Sequence, residues 1–519
     1  MPVLAAAPAK ELSGTELRRL VRRSTAQRAD TSLGERLSDA WSTAASVAIG
    51  LAVLGGWLAS VRENIVGRTE AGGRLLPGSV TTGVGLLVVV ASLLGLLDRL
   101  GPVSSSPAAT AWLLPLPAGR RGLLRSELGK VSGVCALVVA SLAVPTALAW
   151  SAQTSVGAAA AVTLAAAAGA AALVGAVALL QTRGIRGAVA PAAGAVAVLA
   201  AAAAMVLSVA PPLLRRLTGL HRPVLASPGW GWAAVAVVAA VVLLGAAERG
   251  LGRLDAGGLR TLGTTSNYAT ASVFSLDTRE LGRALAPPAR SPRRGHRFRS
   301  VRRPWQAVVV ADLVLLARSR WQLGQLVVGT SVAVLASRTE GLGRLPLGVA
   351  AGLFLGWYTA AVAAGHPGRQ AESSPALDRL LPLSPGELMA ARFVAPAAVL
   401  ALVCGVSGAL IGVGSGDPMW IALALASVPA WAAAALRGAY RPEINWSGPV
   451  VSTPTGVLPA GVAATLVQGF DVALAGILPI GGALLLGASL SGRLVLGELL
   501  WSCLLAAAVV AHLARRRSA

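Results

Sequence analysis

Long apolar runs separated by short charged segments are the dominant pattern of this chain. The runs at 82–97, 131–150, 188–210, 230–247 and 347–365 each approach the ~20 residues that a helix needs to cross a bilayer. They are continuous rather than alternating, which predicts membrane helices instead of barrel strands. The predicted fold is therefore all-α and polytopic.

Twelve spans are predicted, arranged as two six-helix halves at 40–247 and 322–519. A basic amphipathic segment, 1–39, precedes the first half, and a linker with an interfacial helix, 248–321, separates the halves. The spans are placed at about 40–60, 79–97, 131–150, 156–181, 188–210, 229–247, 322–337, 346–365, 393–413, 418–436, 472–490 and 495–513.

Composition and charge agree with a membrane protein. The chain is 55% hydrophobic and only 13% charged, whereas soluble domains carry about 25% charged residues. Its net charge of +23 comes from arginines between the apolar runs, mostly on the side of both termini. This distribution follows the positive-inside rule, so it predicts a plasma membrane protein with cytoplasmic termini rather than a nucleic-acid-binding protein. The arginine- and alanine-rich usage is typical of a GC-rich bacterial genome.

Two loops carry an internal repeat. Residues 113–125 (LLPLPAGRRGLLR) follow the second span, and residues 380–392 (LLPLSPGELMAAR) follow the eighth. Six of the thirteen positions are identical, and both copies hold the same place in a six-span half. Each copy predicts a proline-terminated helix, a turn and a new helix that leads into a span. The matched positions indicate an internal duplication.

A basic, partly amphipathic segment precedes each half. Leu17, Leu20 and Val21 share one face of a predicted helix among arginines, and 302–321 combines tryptophans with arginines. Such helices lie on the inner membrane surface. Between them, the proline- and arginine-rich stretch 287–294 is typical of a flexible basic linker.

With its repeated motif, the chain resembles the membrane subunits of type-2 ABC exporters, here with two units fused. It is also similar to exporter-like membrane families of actinobacteria. The resemblance implies a separate ATP-binding subunit that docks on loops 98–130 and 366–392 and drives export of a substrate that the sequence does not identify. On this resemblance and the placement of the loops, the expected docking residues are Arg120, Arg121, Arg125, Glu387 and Arg392. The polar segment 437–471 departs from the family pattern.

The sequence carries no recognisable motif for catalysis or cofactor binding. It has no Gly-x-x-x-x-Gly-Lys-Ser/Thr phosphate loop, and its four histidines are dispersed. The run Val308–Asp312 resembles a strand that presents a magnesium-binding aspartate, but without that loop an interfacial helix is the better interpretation. We therefore expect no enzyme activity, cofactor or metal in this chain, and ATP hydrolysis in a partner.

Ionisable residues inside membrane helices are functional candidates. Asp471 lies near the inner end of the eleventh span. Glu498 lies a few residues inside the twelfth, where it could snorkel outward. A structural role at a helix end or an interface is the competing interpretation for both residues. The pairs Gly352/Gly356 and Gly408/Gly412 predict close helix packing.

Two other functions remain open on the sequence alone. One is a twelve-span secondary transporter, because Asp98-Arg99-Leu100-Gly101 matches part of a major-facilitator motif after the second span. The basic positions of that motif are replaced by Pro102 and Val103, and Asp98 and Arg99 also suit an ordinary helix end. The other is a membrane scaffold that transports nothing.

Overall fold

A computed structural model gives the arrangement of most of the chain. It describes isolated positions between 14 and 76, then 78–105, 107–113, 115–116, 119–150, 156–185, 187–209, 229–274, 301–339, 342–441, 450–453, 456–459 and 467–518. The first predicted span, 40–60, and the flexible linker stretch, 287–294, lie largely or wholly outside the described residues.

The described part of the first half contains six helices. They are α1 (Gly78–Leu100), α2 (Pro107–Trp112), α3 (Arg120–Trp150), α4 (Val156–Thr182), α5 (Val189–Leu207) and α6 (Trp230–Gly250). Between the halves lie α7 (Ala256–Phe274) and α8 (Pro304–Arg318). The interfacial helix predicted around Val308–Asp312 is therefore confirmed as a helix, whereas α7 was not predicted.

The second half contains nine helices among the described residues. They are α9 (Arg320–Arg338), α10 (Pro346–Ala364), α11 (His366–Glu372), α12 (Pro375–Arg379), α13 (Pro385–Ser415), α14 (Met419–Ala426), α15 (Val428–Ala439), α16 (Phe470–Leu485) and α17 (Gly492–Ser518). An antiparallel hairpin of β1 (Val450–Thr453) and β2 (Gly456–Pro459) lies inside the polar segment 437–471. The tenth predicted span is two helices, α14 and α15, because the chain breaks at Ser427 before Pro429.

The protein is a polytopic all-α membrane protein. Nine helical segments of the described chain are long and apolar enough to cross a membrane. They match nine predicted spans, with α14 and α15 counted as one. The seventh predicted span matches α9, which does not meet that test. The eleventh predicted span matches α16, which has only 16 residues.

Both repeated motifs start a long helix, as predicted. The helices α3 and α13 each contain 31 residues, or about 46 Å at 1.5 Å per residue. The hydrocarbon core of a bilayer is only about 30 Å thick. Each helix therefore continues unbroken from the membrane into the motif that precedes it. We call the end of the bundle with residues 113–125 and 380–392 the motif end, and the other end the opposite end.

The same neighbours recur in the two halves. In the first half α1 packs on α5 and α4, α3 on α4 and α6, and α4 on α6. The corresponding second-half elements pack in the same pairs: α10 on α16 and α15, α13 on α14, α15 and α17, and α14 and α15 on α17. A shared packing scheme is what an internal duplication produces, so it supports the repeat inferred from the motifs.

The second half has the larger described core. Its centre holds Trp357 of α10 and Trp431 of α15, whose rings meet edge-on with centroids 5.7 Å apart. The Trp357 indole N–H donates to Ser407 Oγ over 2.9 Å, so the polar atom of this buried ring is satisfied. The first-half core is smaller, with Leu124, Val174 and Leu251 among its members.

The halves meet along α5 and α9. At the motif end, the Arg99 guanidinium lies 4.7 Å from the centroid of the Trp321 ring. At the opposite end, the buried Arg338 donates to the Ser208 carbonyl over 3.0 Å. The contact between the halves is thus held by a cation at each end.

Glycines allow the closest helix contacts, as the spacing predicts. A Cβ on Gly356 would lie 2.7 Å from the backbone nitrogen of Ala333, and one on Gly408 would lie 2.8 Å from the Trp420 carbonyl oxygen. Helices α10 and α13 can therefore approach α9 and α14 only because these positions carry no side chain.

We expect Gly356→Val to lower the free energy of unfolding by about 1–3 kcal/mol, because the new side chain overpacks the α9–α10 contact. The matched control is Gly85→Val on α1, where an added Cβ meets no atom within 4 Å. Thermal unfolding in mild detergent measures both. Equal losses would contradict the close packing of α9 and α10.

Candidate functional site

The first motif places its arginines on an exposed helix start. Arg121 and Arg125 approach the Glu248 carboxylate at the end of α6, at 3.6 and 3.4 Å, and their side chains are 56% and 66% exposed. Arg120 is also exposed. Exposed ion pairs of this kind contribute only about 0–1 kcal/mol, so the three arginines remain accessible to a partner.

The second motif begins with a capping box. Ser384 Oγ accepts from the Glu387 backbone N–H over 3.3 Å, and the Ser384 backbone N–H donates to the Glu387 carboxylate over 2.9 Å. This arrangement satisfies two backbone donors at the start of α13. Glu387 is exposed, so it stabilises the helix start and still presents its charge at the surface.

Arg392 lies in a different environment from the other predicted docking residues. Its side chain is 12% exposed, and its guanidinium binds two nearly buried carboxylates. One is Asp312 of α8, and the other is Asp378 of α12, at 2.7 Å. The docking role predicted for Arg392 stays a prediction, but in the structure its donors are directed inward.

A second arginine extends these contacts. Arg517 of α17 donates to Asp378 over 2.8 Å and to Glu372 of α11 over 3.2 Å. We name the five residues the ionic cluster: Asp312, Glu372, Asp378, Arg392 and Arg517. It joins α8, α11, α12, α13 and α17 at the motif end.

The electrostatics of the ionic cluster combine burial with pairing. Burial raises the pKa of Asp312 to about 6, and the contact with Arg392 opposes that rise. Asp378 is shared by both arginines, one on each carboxylate oxygen. Because each cation is matched by carboxylates, the charges can remain in a poorly solvated place.

The two motifs make equivalent contacts that differ in how far they are buried. Arg125 and Arg392 occupy the same motif position. Arg125 reaches the last helix of its half directly through Glu248 of α6, and Arg392 reaches α17 through Asp378 and Arg517. A contact before each half also reaches the long helix: a Cβ on Gly14 would lie 3.1 Å from the Leu123 backbone nitrogen of α3, and α8 packs on α13.

The residues of the partial major-facilitator motif have local roles. The Asp98 carboxylate accepts the backbone N–H of Ala190 over 2.9 Å at the start of α5. Arg99 stacks on Trp321, as described above. These contacts explain both residues as parts of helix ends and of the contact between halves.

The two membrane-embedded candidates differ in the structure. Asp471 pairs with Arg437 over 2.8 Å and accepts the Gly469 backbone N–H over 2.8 Å, as expected for a helix-end residue. Glu498 is fully buried. The outward snorkelling considered for Glu498 is therefore wrong, because its side chain faces the helix bundle and accepts from Ser502 Oγ over 2.9 Å.

Comparison with known proteins assigns the chain to a family. Residues 79–449 match DUF6297, a family of unknown function, and this match covers more than half of the 519 residues. The chain belongs to the DUF6297 family. No curated protein and no solved structure matches the chain.

The match to DUF6297 spans both motif copies and the linker between the halves. Asp312, Asp378 and Arg392 lie inside it, whereas Arg517, Asp471 and Glu498 lie beyond it. The DUF6297 region therefore includes parts of both halves together rather than one half repeated. Within the described residues, no group of three His, Cys, Asp or Glu side chains is arranged to hold a metal ion.

We expect Arg392→Ala to destabilise the DUF6297 chain by about 3–5 kcal/mol, because Asp312 would be left buried without its cation and Asp378 would keep only Arg517. Arg125→Ala, at the same motif position but exposed, should cost about 0–1 kcal/mol. Thermal unfolding of both variants in one detergent measures the difference. Similar losses would show that the ionic cluster is not a buried charge pair.

Proposed function

We propose that the chain is the membrane-spanning component of an ABC-type exporter in a bacterial plasma membrane. A separate ATPase docks on loops 98–130 and 366–392, on the cytoplasmic side, and drives export. The observation that carries the proposal is that both motifs begin 31-residue helices, which exceed the thickness of a bilayer core and therefore extend from the motifs into the membrane. The resemblance to type-2 exporters supports the same assignment.

The exposed charges suit the docking surface. Arg120 and Arg121 of the first motif and Glu387 of the second are all exposed at the motif end. They present charges of opposite sign in the two halves, so an ATPase dimer would need complementary charges on its two contact sites.

The charged contacts suit transmission of movement. A push on the start of α3 or α13 moves a continuous helix rather than a flexible loop. Arg125–Glu248 in the first half and the ionic cluster in the second link that movement to the last helix of each half. The contact along α5 and α9 then sets how the halves rotate against each other. Bending at the break before Pro429 would add freedom in the second half.

In this proposal, a contact between the halves at the opposite end must also open during transport. Arg338 of α9 lies directly on Gly414 of α13, where a Cβ would collide with the guanidinium, and it also binds Ser208 beyond α5. One side chain therefore connects three helices from both halves. In the proposed cycle, separation of these helices opens the path away from the ATPase.

Co-purification tests the proposal. We expect the tagged protein, extracted from its own source in mild detergent, to retain a stoichiometric ATPase that carries a phosphate loop. Combined charge reversal at Arg120, Arg121 and Glu387 (R120E, R121E and E387R) should abolish this association, because it inverts the exposed charges of both motifs. Mass spectrometry of the purified complex measures the loss.

The matched control reverses Arg249 and Arg253 to glutamate (R249E and R253E), which are exposed at the same end but lie outside the motifs. This variant should keep the ATPase, and the thermal midpoints of both variants show that each is folded. Retention of the ATPase after reversal in the motifs would refute the docking assignment. Purification of the unmodified chain without an ATPase would favour the secondary-transporter or scaffold alternatives.

A further inference from the structure

A buried carboxyl group lies within the last membrane helix. Along α17, the residues that face the bundle are Glu498, Ser502, Ala506, Val509 and Leu513, each at most 8% exposed. Their spacing of three and four residues is one continuous helix face. The side chains beside this face are exposed leucines at 496, 499, 500 and 504, which suit contact with lipid.

The contacts of Glu498 are incomplete. Its Oε1 accepts from Ser502 Oγ over 2.9 Å. Its Oε2 is buried and has no hydrogen-bond partner in the described part of the chain. A carboxylate in this position would keep a full negative charge away from water with one neutral hydroxyl beside it, which is strongly unfavourable.

The charged groups on the helices that contact α17 do not pair with Glu498. Helix α17 packs on α13, α14, α15 and α16. On these, Arg392, Arg437 and Asp471 lie at the motif end in pairs of their own. At the opposite end, the Asp417 carboxylate accepts the Met419 backbone N–H over 2.9 Å, and Arg338 binds Ser208. Cys404 on α13 is a buried thiol. Apart from Arg517 of the ionic cluster, the other titratable groups on these helices and on α17 are exposed: Glu387, Arg493, Cys503, His512, Arg515 and Arg516.

We propose that Glu498 is a proton-binding site within the membrane-spanning part of the second half. In the arrangement described here it holds a proton on Oε2, while Oε1 accepts from Ser502 as the carbonyl oxygen of a neutral acid. The proton comes from water and returns to it when separation of α17 from α13 and α14 wets the carboxyl group. No other bond forms or breaks, and the site does not depend on the proposed ATPase.

A carbodiimide tests this site in the intact protein. Dicyclohexylcarbodiimide is apolar and forms an adduct with a carboxyl group only when that group carries a proton. We expect an adduct on Glu498 in the full chain at neutral and mildly acidic pH, and its loss at strongly alkaline pH. Peptide mass spectrometry locates the adduct. Asp471 is the internal control, since its carboxylate pairs with Arg437 over 2.8 Å, and we expect no adduct there.

Infrared spectroscopy gives a second readout that does not need reagent access. The difference between the unmodified protein and Glu498→Gln should contain the carbonyl band of a neutral carboxylic acid, shifted by exchange into heavy water. Absence of this band in the folded protein would overturn the proposal. Protection of Glu498 from the carbodiimide by sodium at constant pH would also overturn it, because the ligand would then be a metal cation.

Discussion

Burying a cation in an apolar helix bundle is costly unless hydrogen-bond acceptors or carboxylates surround it. At the motif end, Arg392 is the cation for which carboxylates do this. Its guanidinium brings together Asp312 from the segment before the second half and Asp378 from the loop before α13. Arg517 adds the end of the last helix. The positions of α8, α12, α13 and α17 at the motif end therefore depend on one set of ionic contacts, while the packing of glycines and tryptophans fixes the same half within the membrane.

The two halves share one arrangement of contacts, but these contacts are more deeply buried in the second half. Each has a long helix that starts in a motif, and each links that helix to its last helix through the motif arginine. In the first half the link is a pair of exposed Arg125 with Glu248, and in the second the central pair of the ionic cluster, Arg392 with Asp378, is nearly buried. Buried charges resist rearrangement more than exposed ones do. We therefore expect the Arg125–Glu248 link of the first half to break more easily than the link of the second half, with α5 and α9 as the surface between the halves.

The sequence predicts the membrane helices well because the length and continuity of an apolar run decide whether it can span. The start of α3 and α13 is equally predictable, since proline and glycine mark the turn. The ionic cluster cannot be predicted in this way, because Asp312 and Arg392 are 80 residues apart and nothing in either segment indicates which residue it pairs with. Glu498 illustrates the same limit. Packing sets which face of α17 contacts the bundle, and Glu498 is buried because it lies on that face. Helix α7 was missed because its glycine- and threonine-rich sequence carries no long apolar run.

Side-specific labelling of single cysteines tests the central claim, that both motifs lie on the cytoplasmic side where one ATPase can reach them. Cys135, Cys404 and Cys503 would first be replaced by alanine. New cysteines would then be placed at Gly119 and Gly386, where an added Cβ meets no atom within 4 Å, and at exposed Ser415 and Ser489 of the opposite end. In intact cells, a membrane-impermeant maleimide should label the cysteines at 415 and 489, and it should reach those at 119 and 386 only after the membrane is opened. Labelling of 119 or 386 from outside intact cells would contradict the account.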